Sequence, residues 1–342
     1  MGKKKLSFKE IMTNYGVIII MVCLIVFTGI TRPNFITTNN LTNILATMSF
    51  RLVIALGIAG CIITAGCDLS AGRMIGFGGC IAGTLLQKMD YSAKFYPGMK
   101  PLNIWLALLI VMLICAAFGL VTGFFIAYLN VPPFISTMAM MEIVYGICSI
   151  YTNATPLGGY VSEYTGLATG KFLGMSYLVW IAILVGVITW FIFNMTRHGK
   201  YMYAIGGNPQ AAEVAGVPVK KTLIIIYAKA AAMYGLAGFM MGAKAGGASV
   251  QLGYGYEMEA IAACTIGGVS VTGGRGKVSS ALVGVAVFEF LKAALQFLGV
   301  NAYAQYIALG VIIFIAIKKY IMLHTGPPFW YDGPFFIYTA AK

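Results

Sequence analysis

"LNIWLALLIVMLICAAFGLVTGFFIAYL", residues 102–129, runs for 28 residues without a charged side chain. An α-helix that long reaches about 40 Å, more than the roughly 30 Å hydrocarbon core of a bilayer. Backbone N–H and C=O groups find no water there, so a helix that satisfies them internally is the form such a run takes. The rest of the chain repeats the pattern. Its 342 residues are 60% hydrophobic and 10% charged, with a mean hydropathy of +0.86. A water-soluble domain needs a far more polar surface. The chain therefore reads as an all-α, polytopic membrane protein.

Ten membrane segments are expected, near 15–31, 50–66, 73–89, 102–129, 135–152, 177–195, 221–243, 257–268, 278–298 and 302–318. The segments at 50–66 and 257–268 are short and ringed by glycine, as broken or re-entrant helices lining a transport path are. Basic residues orient the set. With both termini cytoplasmic, thirteen Lys and Arg lie inside, among them Arg73, Arg197, Lys200, Lys220 and Lys221. Seven lie outside, among them Arg32, Arg51 and Lys94. Lys3-Lys4-Lys5 before an apolar run resembles a signal peptide, but Thr31-Arg32-Pro33 is no small-residue cleavage site, so a retained first helix is expected. Residues 1–320 form the membrane domain and 321–342 a tail without an assigned role. The largest outer loop, about 153–176, has room for a short surface helix.

The net charge of +13 sits at the edges of apolar spans and reports topology, not nucleic-acid binding. Seven cysteines lie in or beside spans without a CxxC pair and read as packing residues. The nearest approach to a phosphate-cradling loop, "GGRGKVSS" (273–280), has Val278 where Ser or Thr belongs and is a glycine-rich turn. HExxH and GxSxG are absent, and both histidines, His198 and His324, fall outside the spans. Catalytic, metal and cofactor sites are therefore not expected.

The ionisable groups within or beside spans are Asp68, Glu142, Lys229, Glu257, Glu259, Glu289 and Lys292, each costly in lipid without a partner or a watery cavity. Glu289 and Lys292 share a helix face and suit a local ion pair. Lys229 has two readings, a pair with Glu142 or a snorkelling side chain. Glu257 and Glu259 begin the eighth span on its outer side, favouring its dipole or lining the outer mouth. Asp68, with Ser70 and Gly72, belongs to "GCDLSAGR" (66–73), where it caps the next helix or meets a solute. "GVSVTGGR" (268–275) echoes that motif, as related transporter halves do. Small residues at Gly79/Gly83, Gly119/Gly123 and Gly238/Gly242/Gly246 let helix backbones approach closely.

One stretch is water-compatible. "YAIGGNPQAAEVAGVPVKK" (203–221) lies in a cytoplasmic loop, 196–220, flanked by basic residues. Asn208 suits an N-cap, Pro209 the first helical position, Ala212 and Glu213 the body, and Gly216 a left-handed cap.

With "GCDLSAGR", that stretch resembles the permease subunits of bacterial ABC importers for monosaccharides, the ribose, xylose and galactose branch, and is most similar to its galactose/methyl-galactoside members. "IALG" (54–57), "IAYLNV" (126–131), "TRHGKYMYAIGGNPQAAEVAGV" (196–217) and "YEMEAIAACTIGGVSVTGG" (256–274) also carry the resemblance, which covers roughly residues 10–320. It implies a multi-pass subunit of the bacterial inner membrane, two copies of which form the pathway. It implies a cytoplasmic ATP-binding-cassette ATPase beneath and an extracytoplasmic sugar-binding protein above. Residues 208–215 resemble the helix by which such permeases couple to the ATPase. Glu142, Lys229 and the tail from 325 depart from the pattern. An ion-coupled secondary transporter, with Asp68 or Glu142 as coupling site, is the competing class; a channel is disfavoured by the lack of a repeated pore motif. The identity of the sugar is not legible.

Overall fold

The computed structural model describes residues 8–301, 303–308, 310, 311 and 314. Eight of the 17 residues of the expected tenth segment, and the whole tail, lie outside them. Among the described residues the chain is predominantly helical: α1 (Phe8–Thr31), α2 (Thr38–Ile63), α3 (Ala71–Leu85), α4 (Ile104–Tyr128), α5 (Pro133–Thr152), α6 (Ser162–Thr169), α7 (Tyr177–Met195), α8 (Arg197–Gly207), α9 (Pro209–Val214), α10 (Val219–Ala245), α11 (Tyr256–Gly267) and α12 (Val278–Phe297). A two-residue antiparallel hairpin, β1 (Lys171–Phe172) and β2 (Met175–Ser176), precedes α7. Polar residues set several helix starts. Thr37 accepts from the Asn40 N–H, Asn103 from those of Trp105 and Leu106, and Ser176 from that of Leu178.

Two compact units divide the chain. In the unit of Met1–Arg32 and Leu291–Lys342, the Arg32 guanidinium donates to the Leu298 carbonyl at 3.4 Å. The unit of Pro33–Phe290 is built around α10, which packs along α4, α3 and α2. Among the described residues six helices are long and apolar enough to cross a membrane: α2, α4, α5, α7, α10 and α12. In α2 and α10, 83% and 61% of the apolar window is buried, against 22% in α4 and 28% in α5 and α7. The first pair is the core of the bundle. The others turn Leu113, Phe125, Ile150, Leu184 and Phe191 outward, faces that suit lipid or another subunit.

Small residues set the spacing. A Cβ on Gly78 would stand 2.9 Å from the Gly235 Cα, so α3 and α10 meet backbone to backbone. Gly119 and Gly123 press α4 against the backbone of α10 at Tyr227 and Ile224. The expected ladder on α10 divides its work. Gly238 meets the Ile75 carbonyl, Gly242 faces the Tyr164 hydroxyl, and Gly246 is the left-handed C-cap. The expected surface helix in the 153–176 loop is α6. Its Tyr164 is fully buried and donates to the Phe239 carbonyl at 2.6 Å.

Three expectations need correction. The segment at 50–66 is not short: it is the second part of the 26-residue α2, whose polar opening turns (TNNLTN) hid its start. The short elements are α3, with 15 residues, and α11, with 12, about 22 and 18 Å long and so less than a full crossing. Residues 246–255 account for the shortfall by running back along α3. Gly79 faces Ala248 and Leu252, Gly76 the backbone of Val250 and Leu252, and Gly72 that of Gly253. Irregular backbone at this depth is stable only when covered by protein or lining water. Finally, Arg51 and Arg73 are not loop-end charges. Arg51 is midway along α2, and Arg73 opens α3 beside the inserted segment.

Candidate functional site

The 208–216 element folds as its sequence specifies. Asn208 Oδ1 accepts from the Ala211 N–H at 2.9 Å, and Pro209 occupies the first helical position. At the other end Gly216 takes φ +82, with its N–H on the Glu213 carbonyl at 2.9 Å and the Val217 N–H on that of Ala212 at 3.0 Å. This is the paired closure of a Schellman cap. Ala212 is the buried contact, whereas Glu213 is exposed and Val214 is 91% exposed. A helix of six residues has little stability of its own. Its caps and the buried Ala212 hold it.

The preceding α8 ties this element to the bundle. Gly206 lies so close to the Ile63 carbonyl and the Gly274 N–H that a Cβ has no room. The Gly274 N–H donates to the Ile63 carbonyl at 2.8 Å, and the Tyr203 hydroxyl to the Gly276 carbonyl at 2.8 Å. The glycine-rich turn at 273–276 is thus a clasp joining the ends of α2, α8 and the α11–α12 connection. These contacts join α8, which leads directly into α9, to the end of α2. Sequence reading missed the clasp because its partners are far apart in the chain.

The Asp68 motif lies elsewhere. Asp68 is 2% exposed and accepts from the Ser70 N–H at 3.0 Å and the Ser70 hydroxyl at 2.6 Å. It therefore steadies the N-cap residue of α3; it does not itself bind first-turn amides of that helix. The Tyr234 side chain lies beside its carboxylate. Gly72, one turn on, makes room for the buried carboxylate of Glu257, which a Cβ would strike. The structure thus brings Gly72 and Glu257 together. Glu257 is in the first turn of α11, buried beside Gly72.

A polar cluster surrounds Arg51. Its Nε lies 2.8 Å from Glu289 Oε1, its Nη1 pairs with Glu259, and its Cζ is 4.4 Å from the centre of the Tyr256 ring. With Ile54, Phe288 and Ala263 these residues line a small cavity. Glu289 thus finds its cation on α2, in addition to any neighbour on its own helix. A second small cavity is lined by His198, Lys229, Met202 and Phe193. Burial and the Lys229 charge push the His198 imidazole down to about 4, so it is neutral at physiological pH. Lys229 faces this cavity, and neither described ion pair joins it to Glu142, which lies exposed on α5. Of the two readings, the pairing is overturned.

Comparison with known proteins agrees with this architecture. The family described as branched-chain amino acid transport system / permease component matches residues 40–317. The galactose/methyl galactoside import permease protein of Escherichia coli is 43% identical over 92% of this chain and 95% of its own. That of Haemophilus influenzae is 41% identical over 92% and 96%, and the ribose import permease protein of Escherichia coli 34% identical over 88% and 91%. No solved structure matches. With its apolar crossing helices and a match over most of its length, this chain is a multi-pass membrane protein that belongs to the branched-chain amino acid transport system / permease component family.

Proposed function

We propose that this protein is the membrane subunit of an ATP-driven monosaccharide importer of the bacterial inner membrane, forming the path for galactose, methyl galactoside or a related sugar. Two copies form the path, a separate ATP-binding-cassette ATPase binds at the cytoplasmic side, and an extracytoplasmic sugar-binding protein delivers the substrate. Ten spans, with both termini cytoplasmic, accompany this reading. The permease hydrolyses nothing itself.

The observation that carries the reading is α9, a doubly capped helix with an exposed apolar Val214, clasped through α8 to α2. Its geometry suits a lever: a partner grips the exposed side, and closure of that partner pulls on the end of α2. The names of the similar permeases supply the sugar. The family description names branched-chain amino acids instead, so labelled leucine belongs in the test. Ala212→Pro removes the Ala212 N–H bond to the Asn208 carbonyl (3.0 Å) and breaks a helix interior at about 3 kcal/mol. The variant is expected to insert in normal amount, yet to lose copurification with the ATPase and uptake of labelled galactose. Undiminished uptake and ATPase binding would make α9 a mere connector. Uptake of leucine but not galactose by the wild-type complex would replace the substrate.

A further inference from the structure

Arg73 is twelve residues from Leu85, at the opposite end of α3. That places it about 18 Å along the helix from the end whose carbonyls, on Leu85 and Leu86, bind the Leu102 and Val161 amides of the loops. Taking that end as the membrane surface puts the guanidinium about 18 Å into a hydrocarbon layer roughly 30 Å thick. Neither described ion pair includes it, a contrast with Arg51, which two carboxylates neutralise. Arg73 is instead sandwiched between aromatic faces, its Cζ 4.1 Å from the ring centre of Tyr145 on α5 and 4.5 Å from that of Tyr254 on the inserted segment. Its Nη1 donates to the Val250 carbonyl at 3.2 Å and to Gln251 Oε1 at 2.9 Å.

This clamp leaves capacity unspent. Among the described residues Arg73 Nη2 makes no hydrogen bond, and Gln251, exposed, has committed its acceptor but not its amide donors. Tyr254 is 62% exposed. Glu142, three residues before Tyr145 and so on the same face of α5, is an exposed carboxylate halfway along that helix. Two charged groups at mid-depth on facing elements are costly against lipid and stable beside a water-filled path. Free donors, a carboxylate acceptor and an open aromatic face together make the complement of a neutral polyol ring. Its hydroxyls both donate and accept, and its C–H face is apolar.

We propose that Arg73, Gln251, Tyr254 and Glu142 form a sugar-contact site within the permeation path, presented by the inserted 246–255 segment. Arg73 Nη2 and Gln251 Nε2 donate to hydroxyls of the passing monosaccharide, Glu142 accepts from one, and Tyr254 supports the ring. The assignment rests on the monosaccharide reading above.

The test uses the full complex with its ATPase and sugar-binding protein in proteoliposomes, with labelled galactose and ribose as probes. Gln251→Ala and Tyr254→Ala are each expected to lower uptake about tenfold, as loss of a hydrogen bond or a stacked face does, and to change the galactose-to-ribose ratio. A purely structural defect would lower both sugars alike. Tyr254→Phe, which keeps the ring, is expected to restore most of the rate. Gln251→Glu keeps the acceptor for Arg73 but loses the amide donors, and is expected to impair uptake as Gln251→Ala does. Unchanged rates and ratio in properly inserted variants would overturn the site, as would equal loss for both sugars. A wild-type complex that moves neither sugar would instead overturn the monosaccharide reading, a result that needs no variant.

Discussion

Arg51 shows how far a single side chain can depart from the sequence's apparent instruction. It interrupts an apolar run in α2 and is tolerated because Glu259 and Glu289 reach it from α11 and α12. A buried ion pair adds little over a well-packed apolar replacement, but removing one partner strands the other. Arg51→Met removes the cation that Glu259 and Glu289 share and is expected to lower the unfolding midpoint. The triple variant Arg51→Met, Glu259→Gln, Glu289→Gln is expected to recover part of that loss. Thermal unfolding in detergent compares them. Equal midpoints for wild type and Arg51→Met would mean that the cluster carries no net electrostatic stabilisation. The partnership is not legible in the sequence, because Arg51 and Glu259 lie 208 residues apart.

For the elements, glycine placement decides which helices touch. Gly78 and Gly146 both lie inside helices, yet a Cβ on Gly78 meets the Gly235 backbone at 2.9 Å and one on Gly146 meets nothing within 4 Å. In a helix interior Gly→Ala alone is stabilising by roughly 0.5–1 kcal/mol. At Gly78 that gain opposes overpacking of about 1–3 kcal/mol against backbone that cannot rotate away. Gly78→Ala is therefore expected to lower the unfolding midpoint and Gly146→Ala to leave it unchanged or raise it. The reverse order would contradict backbone contact between α3 and α10. Composition alone does not tell these two glycines apart.

Across the whole molecule, a cytoplasmic ATPase contact at α9 requires one orientation in the membrane. Cysteines at Lys94 and Gly158, on the loops joined to the Leu85 end of α3, are expected to react with an impermeant thiol reagent in intact cells; one at Glu213 is not. Five of the seven native cysteines are buried, so background labelling is expected to be low. External labelling at position 213 would invert the topology and remove α9 from any cytoplasmic ATPase.

The sequence by itself determined the class, the approximate positions of the helices among the described residues, and the caps of α9. These depend on local signals: apolar length, a donor-capping Asn208, a proline at the first turn and a glycine free to take positive φ. Only the tertiary structure decided which helices are shorter than a full crossing, that Glu289 serves Arg51, that Lys229 does not pair with Glu142, and that Arg73 is held by Tyr145, Tyr254 and the 246–255 segment. Charge counting places an arginine near the end of an apolar run at a membrane surface. An inserted segment that is not itself apolar enough to be read as buried can hold it inside, because tyrosine faces and backbone carbonyls supply what water would otherwise provide.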